Sequence, residues 1–255
     1  MLADAAFGAD PQCWPLPPAH TARESWWRAV AAGGQGRYAA ALTDLQILER
    51  TGTGALRSLA LSTRASFLRQ LGGHDLARTV DGRAWALAHD AESAADALIG
   101  LAADALGVGR FAASARLLSR ATAHVERSDL PRLGVRLAWV HAELAMVSGD
   151  GGASVEHAER AVGLAGRFGS VRHAVKSDVV YAAALCSAGR YDDSRAVADR
   201  ALRAATDHGL VPLAWALVCL LADIGSGDLG PGEIARIRDD AATTVTRRGG
   251  IWAGR

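Results

Sequence analysis

The sequence predicts an all-α protein built from paired helices, and its composition, hydrophobic periodicity and recurring glycines all point to this fold class. Of the 255 residues, 55 are alanine and only 5% are aromatic. A chain rich in Ala, Leu and Arg, with few β-branched or aromatic runs, favours helix over strand. Helical apolar runs end in Gly at nearly regular distances, which is typical of a repeat array. The chain is long enough to bury a sizeable core.

Five Gly-containing turns mark the repeat, and a sixth turn is weaker. Successive turns begin about 38 residues apart, a period typical of helical repeat arrays. Two helices of roughly 14 residues, with two short turns, fill one such interval. The turns are Gly36-Arg37-Tyr38, Gly72-Gly73-His74, Gly109-Arg110-Phe111, Gly149-Asp150-Gly151, Gly189-Arg190-Tyr191 and the weaker Gly227-Asp228-Leu229.

The segment before the first repeat, residues 1–21, contains four prolines. Because Pro lacks the backbone N–H donor, we expect no regular helix here and predict a flexible or polyproline-like segment. Trp14 is expected to pack on the first helix, with a short docking motif as the alternative. The repeats are expected to fill residues 22–246, and residues 247–255 are expected to form a flexible tail.

Each repeat is expected to contain two helices. The first helices are predicted at residues 22–34, 55–71, 94–107, 132–148, 171–188 and 211–225. The second helices are predicted at residues 37–51, 75–90, 110–126, 153–168, 191–208 and 231–246. The Val211–Ile224 run is apolar but interrupted by Pro212 and Asp223, so it predicts a buried helix and not a membrane span.

The residue types around each turn suit a helical hairpin. Gly ends the first helix because it adopts positive φ at little cost. Tyr38, Phe111 and Tyr191 follow their glycines by two residues and are expected to pack back over the turn. Small residues are expected where two helices approach closely, since the interaxial distance depends on the side chains in contact. They recur in three successive repeats as Ala102, Ser114 and Ala121, then Ala142, Ser154 and Ala161, then Ala182, Ser194 and Ala201.

Two of these segments resemble a tetratricopeptide repeat. One is Tyr181–Tyr191 closing with Ala201, and the other is Leu98–Ala121; both contain a large-small pair, the Gly-x-aromatic turn and small residues in the second helix. The resemblance extends over residues 21–245 in six units, most of them longer than the family consensus. It implies a right-handed helical-hairpin solenoid, because each hairpin buries one face only on its neighbours.

Several function classes are disfavoured by the residues. The eight histidines form no HExxH motif and no zinc-finger spacing with cysteine, so we expect no metal and no cofactor. The segment 107–112 imitates a dinucleotide fingerprint, but a helix precedes it where a strand is needed. No phosphate loop and no nucleophile elbow occur. An enzyme is therefore the least favoured function.

Charge and cysteine content bear on partners and compartment. The formal net charge is +1, and arginines alternate with acids along the helices, so nucleic-acid binding is not expected. Cys13, Cys186 and Cys219 have no CxxC spacing and fit a reducing compartment. With neither a signal peptide nor an apolar run long enough to span a bilayer, we expect a soluble, cytoplasmic protein that does not bind membranes.

In the family that the sequence resembles, the first helices line a concave groove that captures a protein or peptide partner. The family's carboxylate clamp uses Asn, and this chain has none. We therefore expect a non-enzymatic interaction module of another type; the alternative is a regulatory sensor of a small ligand or signalling peptide. Self-assembly is a third hypothesis, because Ile251 and Trp252 form an apolar tail. The residues expected to line the groove are Arg23, Trp26, Ser66, Arg69, Arg136, Trp139, Glu143, Lys176 and Val179.

Overall fold

The computed structural model describes residues 1–253, which form thirteen α-helices and no β-strand. The all-α prediction is therefore confirmed. Within the same residues, no helix has both the length and the apolarity to cross a bilayer. The helices are α1 (Leu2–Phe7), α2 (Ala22–Gly34), α3 (Tyr38–Thr51), α4 (Gly54–Gln70), α5 (His74–Ala86), α6 (Ala91–Gly107), α7 (Phe111–Glu126), α8 (Pro131–Val147), α9 (Gly151–Phe168), α10 (Val171–Ser187), α11 (Tyr191–Asp207), α12 (Val211–Ile224) and α13 (Pro231–Arg247).

The twelve helices after α1 agree with the predicted spans to within four residues at each end. The largest difference is at α5, which ends at Ala86 and not at residue 90. The next helix explains it, because the Asp90 carboxylate accepts a hydrogen bond from the Ser93 backbone N–H and the Ser93 hydroxyl accepts one from the Asp90 backbone N–H. This capping box starts α6 at Ala91 and leaves residues 87–90 to the turn.

The turn glycines behave largely as the sequence predicts. The five strong positions, from Gly36 to Gly189, all have φ between 73° and 88°. The weaker sixth position is wrong by two residues, since Gly225 and not Gly227 takes positive φ at the end of α12. The expected packing of the turn aromatics is wrong for Phe111 and Tyr191, which stay 40% and 51% exposed. Neither is covered by another part of the chain in the way that Tyr38 is.

The helices pack in chain order, and the even-numbered helices from α2 to α12 also pack on one another. They form an inner layer, with the odd-numbered helices outside it. The small residues predicted at close approaches are all fully buried, in agreement with the expectation. An Ala or Ser at these positions lets paired helices meet without a bulky side chain between them.

The two ends of the helical array meet. The Ala39 backbone N–H donates to the Arg248 carbonyl oxygen at 2.9 Å, and the Ala253 N–H donates to the Leu71 carbonyl oxygen at 2.8 Å. Val245 of α13 is fully buried in the core cluster that contains Tyr38. We call this contact, made by residues 245–253 with residues 35–39 and Leu71, the closing interface.

The predicted C-terminal tail takes part in the closing interface as far as residue 253. Trp252 packs on Trp215 of the same chain, with ring centroids 4.4 Å apart, whereas Ile251 is exposed. The last two residues of the predicted tail, 254 and 255, lie outside the described residues.

The N-terminal segment differs from the expectation of a chain without regular helix. Residues 2–7 form α1, because all four prolines come after Asp10 and leave the first ten residues free to be helical. The segment packs on the inner helices, where the Gln35 side-chain amide donates to the carbonyl oxygens of Pro11 and Cys13. The Arg37 guanidinium, just before α3, lies over the Trp14 ring, with its central carbon 3.8 Å from the ring centroid.

A glycine pair tests the closing interface. At Gly249, which has φ of 89°, a Cβ atom would lie 2.6 Å from the Ala39 Cβ, whereas Gly189 has φ of 75° and open space around it. Both Ala variants bear the backbone cost of positive φ, about 1 kcal/mol. We expect Gly249→Ala to lose roughly 1–3 kcal/mol more than Gly189→Ala in urea unfolding, because its methyl group overpacks the interface. Equal losses would contradict a tightly packed closing interface.

Candidate functional site

The inner faces of the even-numbered helices line a partly open cavity of about 370 Å³. Phe7 of α1 and Trp252 after α13 also line it, so both ends of the chain contribute to its wall. Because the closing interface joins the last helices to the first, this space is bounded on a side where an open array would leave a gap. The cavity is the candidate functional site.

Seven of the nine residues predicted to face a groove line this cavity. The other two do not. Arg23 is turned toward Glu92, with Nη2 and Oε2 2.9 Å apart, and Val179 packs in the core formed by α10, α11 and α12. The seven that the structure brings together are Trp26, Ser66, Arg69, Arg136, Trp139, Glu143 and Lys176.

Arg69 is held between two buried carboxylates. Its Nη1 lies 2.5 Å from Asp81 Oδ2 and 2.8 Å from Asp104 Oδ1, and the Ser62 hydroxyl donates to the other Asp81 oxygen at 2.9 Å. Both carboxylates are fully buried. Burial and the charge of the neighbouring Asp104 together raise the pKa of Asp81 to about 7, against the opposing effect of Arg69. Close packing favours this geometry, since a Cβ at Gly100 would lie 2.2 Å from the Asp81 carboxylate.

A second ion-pair network joins α2, α6 and α8. Glu92 accepts from both Arg23 and Arg132, and Asp96 pairs with both Arg132 and Arg136. The Arg132 side chain is only 6% exposed, and its Nη2 lies 2.6 Å from Asp96 Oδ2. Burial, followed by the charge of Arg69, lowers the pKa of Arg136 to about 10. Arg136 therefore still carries its positive charge at neutral pH.

Arg172 stands apart from these networks. In the described part of the chain, its one hydrogen bond runs from Nη2 to the Ala6 carbonyl oxygen at 3.3 Å, and its buried Nε has no partner. Among residues 1–253, no acidic side chain forms an ion pair with it. Burial, together with the charge of Arg132, lowers the pKa of Arg172 to about 10.

Aromatic side chains surround this arginine. The Phe7 ring lies 5.4 Å from Trp26 and 5.9 Å from His173, while the Arg132 and Arg172 guanidinium carbons approach it to 5.5 and 5.8 Å. The α1 helix thus inserts an aromatic ring between two cations, a contact of the cation–π type.

His173 and Trp139 form the opposite side of the same region. Their rings stack with centroids 5.4 Å apart, and the Trp139 indole N–H donates to the Ser177 hydroxyl at 2.8 Å. Burial, reinforced by Arg172, Arg132 and Arg136, lowers the pKa of His173 well below its usual range. His173 is therefore neutral and adds no charge to the cavity.

Sequence reasoning missed three central residues of the site, namely Arg132, Arg172 and His173. A usable signal was present, because Arg132 and Arg136 lie four positions apart on α8, and Arg172 and Lys176 repeat that spacing one repeat later on α10. Residues at this spacing share one face of a helix. The shift between the two pairs also equals the shift between the turn glycines that follow α8 and α10. Basic pairs in the same register of successive repeats therefore point to one shared surface.

The arrangement suits binding of a ligand that combines apolar and charged groups. In the described part of the chain, no three His, Cys, Asp or Glu side chains converge in a way that could hold a metal ion. The sequence matches no protein-family model and no curated protein at a significant level.

Proposed function

We propose that this chain is a non-enzymatic sensor or binding module that takes a small ligand into its central cavity. In this proposal the fold is a right-handed solenoid of six tetratricopeptide-like hairpins, closed on itself. The acidic groups near the cavity are paired with arginines or, for Glu143, with Lys176, which supports a binding role over proton-transfer chemistry. A cytoplasmic location is part of the proposal, because the three cysteines have no CxxC spacing in the sequence.

The observation that carries the proposal is the closing interface. It turns the inner surface of the helices into a bounded cavity of about 370 Å³. Ligand sites for small molecules typically measure about 300–1,000 Å³ and combine an apolar wall with a few polar groups. An α-helix is about 10 Å across with its side chains and needs an open trough. The bounded cavity therefore favours a small ligand over a captured helical segment.

The closing interface also supplies an element through which binding could be sensed. Residues from α2, α8, α10 and α12 all line the cavity, so a ligand there contacts helices on both sides of the closing interface. Such a ligand binds the closed arrangement better than an open one and shifts the population toward it. The change in helix arrangement is then available to a partner protein or attached domain.

A second candidate function is capture of an extended partner segment, and one observation favours it. The chain's own residues 1–13 lie along the inner helices, with backbone carbonyl oxygens bonded to Gln35. The inner surface thus already accommodates one peptide backbone. A partner segment would replace residues 1–13.

A thermal-shift panel of metabolites and short peptides distinguishes the two functions. Ala103 lines the cavity, and Ala115 is exposed on the outer helix α7. We expect at least one small ligand to raise the melting temperature of the natural chain and of Ala115→Trp, but not of Ala103→Trp, whose indole fills the cavity. A stabilising peptide that is insensitive to Ala103→Trp would favour segment capture. Small-ligand shifts that persist in Ala103→Trp would contradict binding in the cavity.

A further inference from the structure

The charged groups in and around the cavity do not balance. Six basic side chains and five acidic ones lie in its wall or directly behind it. The basic set is Arg23, Arg69, Arg132, Arg136, Arg172 and Lys176, and the acidic set is Asp81, Glu92, Asp96, Asp104 and Glu143. At neutral pH the cavity therefore has an excess of about one positive charge or slightly more, because Asp81 is partly protonated.

The ion pairs locate this excess on Arg172. Arg69 has two carboxylates, Arg132 has two, and Arg136 shares Asp96. Lys176 lies 3.6 Å from Glu143. Within residues 1–253, Arg172 has only the long hydrogen bond to a backbone carbonyl of α1. Arg172 is half-buried, and its Nε is fully buried without a partner. A guanidinium withdrawn from water without a counter-ion is costly, so the site is more stable when an anion joins it.

Arg172 is also held in position. Its Cδ lies 2.8 Å from where a Cβ of Gly34 would be, so the absence of a side chain at Gly34 leaves room for the arginine stem between α10 and α2. The neighbouring backbone is fixed as well, because the Val171 N–H donates to the Gly8 carbonyl oxygen at 3.1 Å. A guanidinium fixed in this way presents its donors in a preorganised fork, which matches a carboxylate.

Most of the remaining cavity wall is apolar and aromatic, with polar side chains from α4 and the start of α5 on one side. It is contributed mainly by α6, α8, α12 and the segment after α13, and the Trp215–Trp252 pair forms part of it. A purely hydrophilic anion would leave this surface uncovered. The wall residues concerned are Ile99, Leu106, Val140, Leu213, Trp215 and Trp252.

We infer that the ligand of this cavity is a small monocarboxylate with an apolar body, and that Arg172 binds its carboxylate. The inference rests on the proposed function and names its ligand class. One negative charge matches the single unpaired guanidinium, and the apolar body covers the aromatic wall. The Phe7 ring and the Ala6 carbonyl oxygen lie next to the Arg172 guanidinium. A ligand whose carboxylate binds Arg172 would contact both groups.

Isothermal titration calorimetry with two matched probes tests the inference. Naphthalene-1-acetate carries the carboxylate, and naphthalene-1-acetamide has the same body without charge. We expect the full chain to bind the acid about 10- to 100-fold more tightly than the amide, the range expected for a charge-assisted hydrogen bond. Arg172→Gln should bring that ratio close to one, whereas Arg172→Lys should retain part of it.

Controls separate binding from folding. Arg236 is an exposed arginine on α13 that pairs with Asp240, so Arg236→Gln should leave the acid-to-amide ratio unchanged. Arg172→Gln should keep the melting temperature of the natural chain or raise it, since it removes a half-buried charge that has no carboxylate partner.

The outcomes distinguish this inference from the proposed function. If the acid and the amide bound with equal affinity and neither bound to Ala103→Trp, the requirement for a carboxylate would be overturned. The cavity would still be a ligand site. A preference for the acid that survives Arg172→Gln would overturn the role of Arg172. Failure of both probes to bind would also overturn the monocarboxylate, while the neutral compounds of the thermal-shift panel would still test the cavity itself.

Discussion

Replacing Arg69 with Met should destabilise the protein by about 3–5 kcal/mol, the range for removing one partner of a buried ion pair. The variant leaves Asp81 and Asp104 fully buried without their shared cation. Urea unfolding at pH 7 measures the loss. Arg116, which is exposed on α7, provides the matched control, and Arg116→Met should change stability by less than about 0.5 kcal/mol.

The pH dependence of this loss identifies its cause. A carboxyl whose pKa is raised by folding lowers stability as pH rises from its unfolded value toward its folded value. For Asp81 this window runs from 3.8 to about 7 in the natural chain. Without Arg69 the window should extend above pH 7, so the stability that Arg69→Met loses relative to the natural chain should be larger at pH 9 than at pH 7. Adding Asp81→Asn and Asp104→Asn should restore most of the stability, and failure to do so would contradict uncompensated charge as the cause.

Replacing Val245 with Asp should open the closing interface and cost about 2–4 kcal/mol, because it places an unpaired carboxylate in a buried apolar contact. Val245 is fully buried in the cluster around Tyr38. We expect a larger radius of gyration in small-angle X-ray scattering under native conditions, together with loss of ligand binding to the cavity.

Val147 supplies the control, since it is 46% exposed at the end of α8 and far along the chain from the closing interface. Val147→Asp should leave both the stability and the radius of gyration nearly unchanged. If Val245→Asp kept the natural radius and still bound small ligands, closure would not define the cavity, and the proposed function would lose its main support.

Much of the helical framework could be predicted, because its signals are local. The helix ends follow from turn glycines that adopt positive φ. The faces on which adjacent helices pack follow from small residues that allow a close approach. Local signals failed where a distant segment decides the environment. Tyr38, Phe111 and Tyr191 have the same position relative to their glycines, yet only Tyr38 is buried, because Val245 and the following residues cover it.

The candidate site could be predicted only in part, because local signals place a residue on a helix face but do not determine its partners. Trp139 and Arg136 could be placed on the inner face because the resemblance to tetratricopeptide repeats assigns the first helix of each hairpin to that face. Which charges pair with which could not be predicted, since Arg132 and Glu92 are 40 residues apart in sequence. The unpaired state of Arg172 depends on every helix around it and therefore has no local signature.

The sequence by itself determined an all-α chain, the positions of its helices and the faces on which small residues meet, because these properties depend on neighbours within a few residues. Only the tertiary structure decided that the two ends of the array meet, that α1 enters the interior and that Arg172, alone among the described arginines lining the cavity, has no carboxylate partner. Each of these depends on small angles between successive helices, which add up over the whole array and are not encoded at any single position.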